Sequence, residues 1–298
     1  MMEQRLGIPC AGVVPFLRDL GLEEEDGVAM EDRRRVKRVW HDAEKAASSQ
    51  RPLRVGVVAV PHMANFTDFD ALAQEPSVSL AFLEDPAQAG LADALVLPGS
   101  KQTLDDLLWI RARGFAQVLA TYPGLVIGIC GGFQMLGLSI EDASGVESGG
   151  LRRTMPGLGQ LPIRTILRDE KMVRRAAGRT RLWDAPSFSG YEIHMGGTLY
   201  ENGAQPFAEI LREGEQRPTW DGSIASSGRV WGTYIHGLFD DDAFRHRFLH
   251  FARQACGLAP ALSHVCVTAE RQARIDRWAG HLRQSLDMNL IRGWVDNI

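Results

Sequence analysis

A chain of 298 residues with 45% hydrophobic residues has enough apolar material to bury a sizeable core, in one large domain or two modest ones. Its 33 basic and 37 acidic residues nearly cancel, to a formal charge of -4, which gives no support for nucleic acid or an anionic membrane surface as a partner. The longest apolar runs are far short of a membrane span, and the first residues show no basic segment leading into an apolar one, so the expected compartment is the cytoplasm.

The chain begins with a short apolar piece, LGIPCAGVVPF (6–16). Residues 31–50 follow, in which five of the six positions 33–38 are basic. Acidic residues flank that run and no aromatic series accompanies it, so it reads as a solvated helix or linker rather than a nucleic-acid patch. Short runs rich in Val, Leu and Ile come next: LRVGVVAV (53–60), VSLAFLE (78–84), DALVLPG (93–99) and LVIGIC (125–130). Helical patterns such as 103–119 lie between them. Near-continuous apolar strands alternating with helices predict an α/β fold, a mostly parallel sheet with helices on both faces. After Leu138 the sequence turns Gly-rich and then alternates, which predicts antiparallel strands added at the sheet edge. Two further strand-like runs span 189–198 and 229–239. Residues 240–256 read as a helix whose first turn carries Asp, favoured by the helix dipole. Finally Ile275, Trp278, Leu282, Leu286 and Leu290 recur at three- and four-residue spacing, the packing face of one more helix.

Within LVIGICGGFQMLG (125–137), Cys130 closes a buried strand pattern and is followed by Gly131, Gly132 and an apolar helix opening. That arrangement predicts a sharp strand-to-helix elbow. Residues without side chains beside a nucleophile permit strained dihedrals and let a substrate carbonyl approach the backbone. The helix start favours thiolate, and the Gly131 N–H is placed to donate to a tetrahedral oxyanion. The other cysteines, Cys10, Cys256 and Cys266, read as buried structural cysteines in tight turns. With no CxxC pair among the four, neither a disulfide framework nor a zinc site is expected, and no metal ligands are assigned. Two of the eight histidines end or interrupt Gly-rich strand patterns, His194 in GYEIHMGGT and His236 in GTYIHGLFD. His236 is the preferred base, because it stands at the end of an apolar strand with Gly237 opening space beside it. His194 follows Glu192 in a strand that lines the same cleft.

Together GICGGFQMLG, PGSKQT and GTYIHGLF resemble the class I glutamine amidotransferases, and their particular forms resemble the cobyric acid synthase subfamily. GVVPFLRDLGLEEED (12–26), NFTDFDAL (65–72), PGSKQTLDDLLWIRARG (98–114) and GYEIHMG (190–196) extend that resemblance over nearly the whole chain. It implies a flavodoxin-like amidotransferase fold in which Cys130 attacks the side-chain amide of L-glutamine and His236 serves as acid and base. Gly131 and the backbone at Gly99 and Ser100 would form the oxyanion hole. Gln134 would help hold substrate, and Tyr191, Glu192 and His194 would line the entrance or the face toward the acceptor domain. Leu238 stands where many class I enzymes carry the glutamate that orients the histidine, which leaves the orienting group open.

Full-length members of the subfamily also carry a synthetase domain that uses ATP and Mg2+ to activate a corrinoid carboxylate of adenosylcobyrinic acid a,c-diamide. This chain has no GxxxxGK[ST] sequence and no cofactor of its own is expected. Residues 1–50 are expected to be the remnant end of such a domain plus a linker, with 6–16 as its last strand. Residues 51–255 would be the amidotransferase domain and 256–298 a C-terminal helical extension. A corrinoid acceptor would then be reached through a synthetase domain or partner chain. Two other readings are a glutaminase serving a different ligase, such as an a,c-diamide synthase or a cell-wall amidating complex, and a non-catalytic docking or regulatory module.

Overall fold

The computed structural model describes residues 2–17, 40, 49–184 and 186–296. The helix or linker expected at 31–50 thus lies outside the described residues except for Trp40, Ser49 and Gln50. The chain separates into two compact units, one of residues 25–265 and one formed by 1–24 with 266–298.

The larger unit is built on a six-stranded sheet in the order Ser223–Ile224, Val230–Thr233, Leu125–Ile129, Ala94–Leu97, Leu53–Val58 and Val78–Leu83. All neighbours run parallel except the edge strand Ser223–Ile224, which is antiparallel to Val230–Thr233. The three central strands are buried at every position, the pattern expected where both faces are covered, and this is why their sequences are continuous apolar runs. From Leu53–Val58 the chain moves first to one side, to Val78–Leu83, and then returns to the other, to Ala94–Leu97. Such a reversal opens a crevice at the carboxyl ends of the strands. The helical pattern at 103–119 resolves into Thr103–Arg113 and Phe115–Thr121, divided at Gly114, whose φ of 91° ends the first helix.

The alternating sequence after Leu138 adds one antiparallel strand to the edge of the main sheet, but most of it makes a second, seven-stranded sheet. Its centre is the antiparallel pair Ile163–Thr180 and Ser187–Tyr200, flanked by Ala208–Arg212 and Thr219–Asp221 on one side and Ile235–His236 on the other. Arg153–Pro156 pairs Ser139–Asp142, which runs parallel to Ile163–Thr180. The single strand expected at 229–239 is therefore two. Val230–Thr233 belongs to the parallel sheet, Ile235–His236 belongs to the second sheet, and Tyr234 carries the chain between them. Asp221 secures the crossing, its carboxylate accepting from the Thr233 hydroxyl and from Tyr234 N at 3.2 Å. Below the crossing, Trp231 stacks on Phe207 with ring centroids 4.8 Å apart, and Phe244 and Phe248 of the helix Asp242–Ala255 close the cluster. Asp241 caps that helix by accepting from Ala243 N and Phe244 N.

In the smaller unit, residues 7–17 form no strand; the segment makes a bridge from Gly12 to Leu286, and the Ala11 and Pro15 carbonyls accept from Asp287 N and His281 Nε2. The C-terminal apolar stripe is also divided between two helices, Val267–Ser285 and Met288–Val295. Leu286 and Asp287 are extended, and Asp287 caps the second helix. Neither helix has a fully buried residue: Ile275 and Trp278 are about two-fifths exposed, and Leu282, Leu286 and Leu290 are half-buried.

Candidate active site

The loops that follow Leu53–Val58, Ala94–Leu97, Leu125–Ile129 and Val230–Thr233 converge at the carboxyl edge of the parallel sheet. Cys130 stands at the turn after Leu125–Ile129 with φ 50° and ψ -109°, a strained backbone for a residue with a side chain. The helix Gly131–Leu136 starts at once. The glycines are required by crowding: a Cβ on Gly132 would lie 2.0 Å from the Leu97 carbonyl oxygen, and one on Gly131 would lie 2.9 Å from Ser100 N. Cys130 is 7% exposed, and its Sγ donates to Ile193 O at 3.5 Å.

His236 reaches the same place from the second sheet. A Cβ at Gly99 would fall 3.2 Å from His236 Cε1 and 3.8 Å from Cys130 Cβ, so a side chain there would crowd both the cysteine and the histidine. His236 Nδ1 is 2.7 Å from Asp68 Oδ2, and Gly237 N donates to Asp68 Oδ1 at 2.8 Å. Asp68 lies in the short 3-10 helix Phe66–Phe69 and is buried. It is the orienting carboxylate left open by Leu238, which is itself buried and apolar. Burial alone would lower the His236 pKa. The charge and hydrogen bond of Asp68, helped by Cys130, outweigh burial and push it up to about 10. His236 Nε2 has no hydrogen-bond partner among the described residues. With Nδ1 committed to Asp68, Nε2 is the nitrogen free for chemistry.

A second buried carboxylate shapes the opposite wall. Asp106 accepts from the Ser100 hydroxyl at 2.6 Å and from His62 N at 3.1 Å, fixing the 99–102 turn against residues 62–64. Gly99 and Ser100 pair with Ala64 and Met63 in a two-stranded ribbon, and the Ser100 hydroxyl accepts from Gln102 N. The cavity between these parts has about 220 Å³ of accessible space and is lined by Gly99, Ser100, Cys130, Gln134, His194 and His236 among others.

Of the other residues expected at the site, Gln134 lines the cavity, but its amide is engaged. It donates to Met195 O at 3.2 Å and Tyr234 OH at 3.3 Å, and it accepts from Thr103. Its observed contacts tie the elbow helix to the second sheet. His194 also lines the cavity, its ring stacked on Tyr234 with centroids 3.8 Å apart. Tyr191 and Glu192 do not line it. Tyr191 stacks on the His236 ring from outside, at 5.5 Å. Glu192 is buried behind His194 in an ion pair with Arg212; burial would raise its pKa, but His194 and Arg212 hold it below the usual carboxylate range. The β-bulge between Met195 and Gly197 presents the Ile193 and Met195 carbonyls to Cys130 and Gln134.

Sequence reasoning missed Asp68, Glu147 and Lys171. Burial pushes the Glu147 carboxyl up, while hydrogen bonds from the Leu104 and Thr103 backbone oppose the rise; Leu104 N donates at 2.9 Å. Glu147 and Lys171 bring an acidic and a basic group to the same cavity. NFTDFDAL contains Asp68, but nothing local to that stretch marks one aspartate as the partner of a histidine 168 residues later.

Residues 54–244 match the family model described as a CobB/CobQ-like glutamine amidotransferase domain. The chain belongs to that family. Among curated amidotransferase relatives, it is 38% identical over 304 residues to a cobyric acid synthase of Syntrophobacter fumaroxidans, covering 98% of this chain and 57% of that protein. It is 42% identical over 252 residues to a cobyric acid synthase of Roseiflexus castenholzii, covering 84% and 49%. The chain thus spans about half the length of the curated relatives it matches. A solved structure titled a glutamine amidotransferase aligns over 67% of this chain and 98% of its own, at 18% identity and a TM-score of 0.48. Within the described residues of this family member, no helix is long and apolar enough to cross a membrane.

Proposed function

We propose that this chain hydrolyses L-glutamine and supplies the ammonia for amidation of corrinoid carboxylates in cobalamin biosynthesis. The observation that carries the reading is the meeting of Cys130 and His236 on one cavity, with Asp68, itself held by Gly237 N–H, fixing the imidazole from behind. The Cys130 thiol gives its proton to His236 Nε2 as the sulfur attacks the side-chain amide carbon, and the tetrahedral oxyanion is received by Gly131 N–H and the backbone of the Gly99–Ser100 turn. His236 Nε2 gives its proton to the departing nitrogen, which leaves as ammonia. His236 then takes a proton from the water that opens the glutamyl thioester and returns it to the departing Cys130 sulfur, releasing glutamate and restoring the thiol. Glu147 and Lys171 complement the ammonium and carboxylate of an α-amino acid, and a cation beside Glu147 offsets the burial that raises its pKa.

The cavity is far too small for a corrin macrocycle, so the acceptor is amidated elsewhere. ATP and Mg2+ belong to carboxylate activation. The chain has no GxxxxGK[ST] loop to hold them, and no step here is assigned to them. The test is glutamate release from glutamine by the purified chain, alone and with a separately supplied synthetase domain, ATP and corrinoid. Release that disappears in Cys130→Ala and rises with the added domain supports both parts of the reading. Release without any response to the domain leaves only the glutaminase. No release from a folded chain in either condition overturns the whole.

A further inference from the structure

Glu75 follows the helix Asp70–Gln74 as its C-cap and is buried, and three parts of the larger unit meet on its carboxylate. Arg245 Nε donates to Oε1 at 2.8 Å. His246 Nε2 lies 3.4 Å from Oε1 and His264 Nδ1 lies 3.7 Å from Oε2, with the two imidazole rings 4.2 Å apart. One donor atom from each of Glu75, His246 and His264 falls within 4.8 Å of the others. Hydrogen bonding to Arg245 accounts for the burial of Glu75. It does not account for two imidazoles gathered on the same carboxylate.

We propose that Glu75, His246 and His264 bind one divalent metal ion of the zinc class. Metal–ligand distances of about 2.0–2.2 Å in a tetrahedral shell put neighbouring donor atoms about 3.3–3.6 Å apart, which the 3.7 Å between His264 Nδ1 and Glu75 Oε2 approaches; His246 Nε2, 3.4 Å from the other oxygen, Oε1, closes on Oε2 as the ion enters. Two imidazoles with one carboxylate is a donor set suited to zinc. The local charge also suits a cation. Asp242 Oδ1 accepts from Arg245 Nη2 at 2.5 Å, so two carboxylates face one guanidinium, whose Nη2 also lies 3.4 Å from His246 Nε2. Oε1 of Glu75 stays with Arg245, which holds the carboxylate as an outer partner, while Oε2 serves the metal. His246 Nε2 exchanges its 3.1 Å contact with Val265 O for the ion. The imidazoles are about one-third exposed, which gives an entry path and leaves the fourth position to water. None of the three residues lines the Cys130 cavity. The ion's role is to fasten residues 264–265 to the helix Asp242–Ala255 and to Glu75. Separations of 171 and 18 residues between ligands carry no spacing signature, so sequence reading assigned no metal here.

The test uses the full chain without a histidine tag, stripped with a chelator and titrated with Zn2+ against a chromophoric competitor. Thermal unfolding and the visible spectrum of the Co2+ form are recorded alongside. The expected result is one retained equivalent, a raised midpoint and the intense absorption of tetrahedral Co2+. All three are expected to be lost in His264→Gln and in His246→Gln and kept in Cys130→Ala. A wild-type chain that retains no equivalent overturns the proposal. So does an equivalent that survives both histidine substitutions. Circular dichroism of the stripped variants identifies any that fail to fold, and the wild-type titration decides the matter without them.

Discussion

Asp68 gives His236 its direction and its charge. A carboxylate 2.7 Å from Nδ1 selects the tautomer, turns the ring, and favours the imidazolium despite burial. Asp68→Asn keeps the shape but loses the charge, and it is expected to lower kcat for glutamine hydrolysis by about 10²- to 10⁴-fold. It is also expected to move the alkaline limb of the rate profile to lower pH. An unchanged limb would remove Asp68 from the positioning role. In the proposed reading Glu147 meets the substrate ammonium, so Glu147→Gln, which still accepts from Leu104 N, is expected to raise KM about tenfold or more with kcat nearly unchanged. A fall in kcat at constant KM would place Glu147 with the chemistry instead.

The elbow and the crossing between sheets are the two elements that bring cysteine and histidine together. Gly132 allows the elbow helix to lie against the Leu97 carbonyl, and no side chain fits at the 2.0 Å separation a Cβ would have. Gly132→Ala is therefore expected to cost at least about 2 kcal/mol in urea unfolding and to abolish turnover together with it. Asp221 performs the corresponding task at the crossing. Removing its carboxylate leaves the buried Thr233 hydroxyl and Tyr234 N–H unpaired, and Asp221→Ala is expected to destabilise by about 2–4 kcal/mol. Burial raises the Asp221 pKa to about 6, so its charge is itself costly at neutral pH. The C-terminal stripe is instructive by contrast. Three- and four-residue spacing identifies a helical face, yet the extended pair Leu286–Asp287 interrupts it, because Asp287 starts a new helix by accepting from Asn289 N and Leu290 N.

For the whole molecule, the buried His236 makes stability depend on alkaline pH. Its folded pKa of about 10 lies above the ordinary 6.5, so the folded chain binds more protons between those values than the unfolded chain. The stabilisation is complete below pH 6.5 and is lost as pH rises toward 10. Unfolding free energy is expected to decline across pH 6.5–9 by at most about 1.4 kcal/mol per pH unit, the limit for one proton. His236→Gln is expected to flatten that slope. Equal slopes in the two proteins would show that the Asp68 pairing does not hold the proton. The cavity volume makes a separate demand on the molecule. Saturating corrinoid is expected to leave the KM for glutamine unaffected by competition, since the two ligands cannot share this site.

Local order carried much of this in the sequence. Continuous apolar runs identified the parallel strands because strands covered on both faces have no polar side to show, and Cys130 between such a run and two glycines identified the elbow. His236 was legible for the same reason, at a strand end beside Gly237. The split of 229–239 between two sheets was not, since a crossing at Tyr234 leaves the apolar pattern unbroken. Nor were Asp68 or the Glu75 cluster. Their partners lie far along the chain, and a buried carboxylate acquires its role from the imidazole or guanidinium that the fold brings to it. Only the tertiary structure makes those pairs, because sequence periodicity records which face is buried and not what is buried against it.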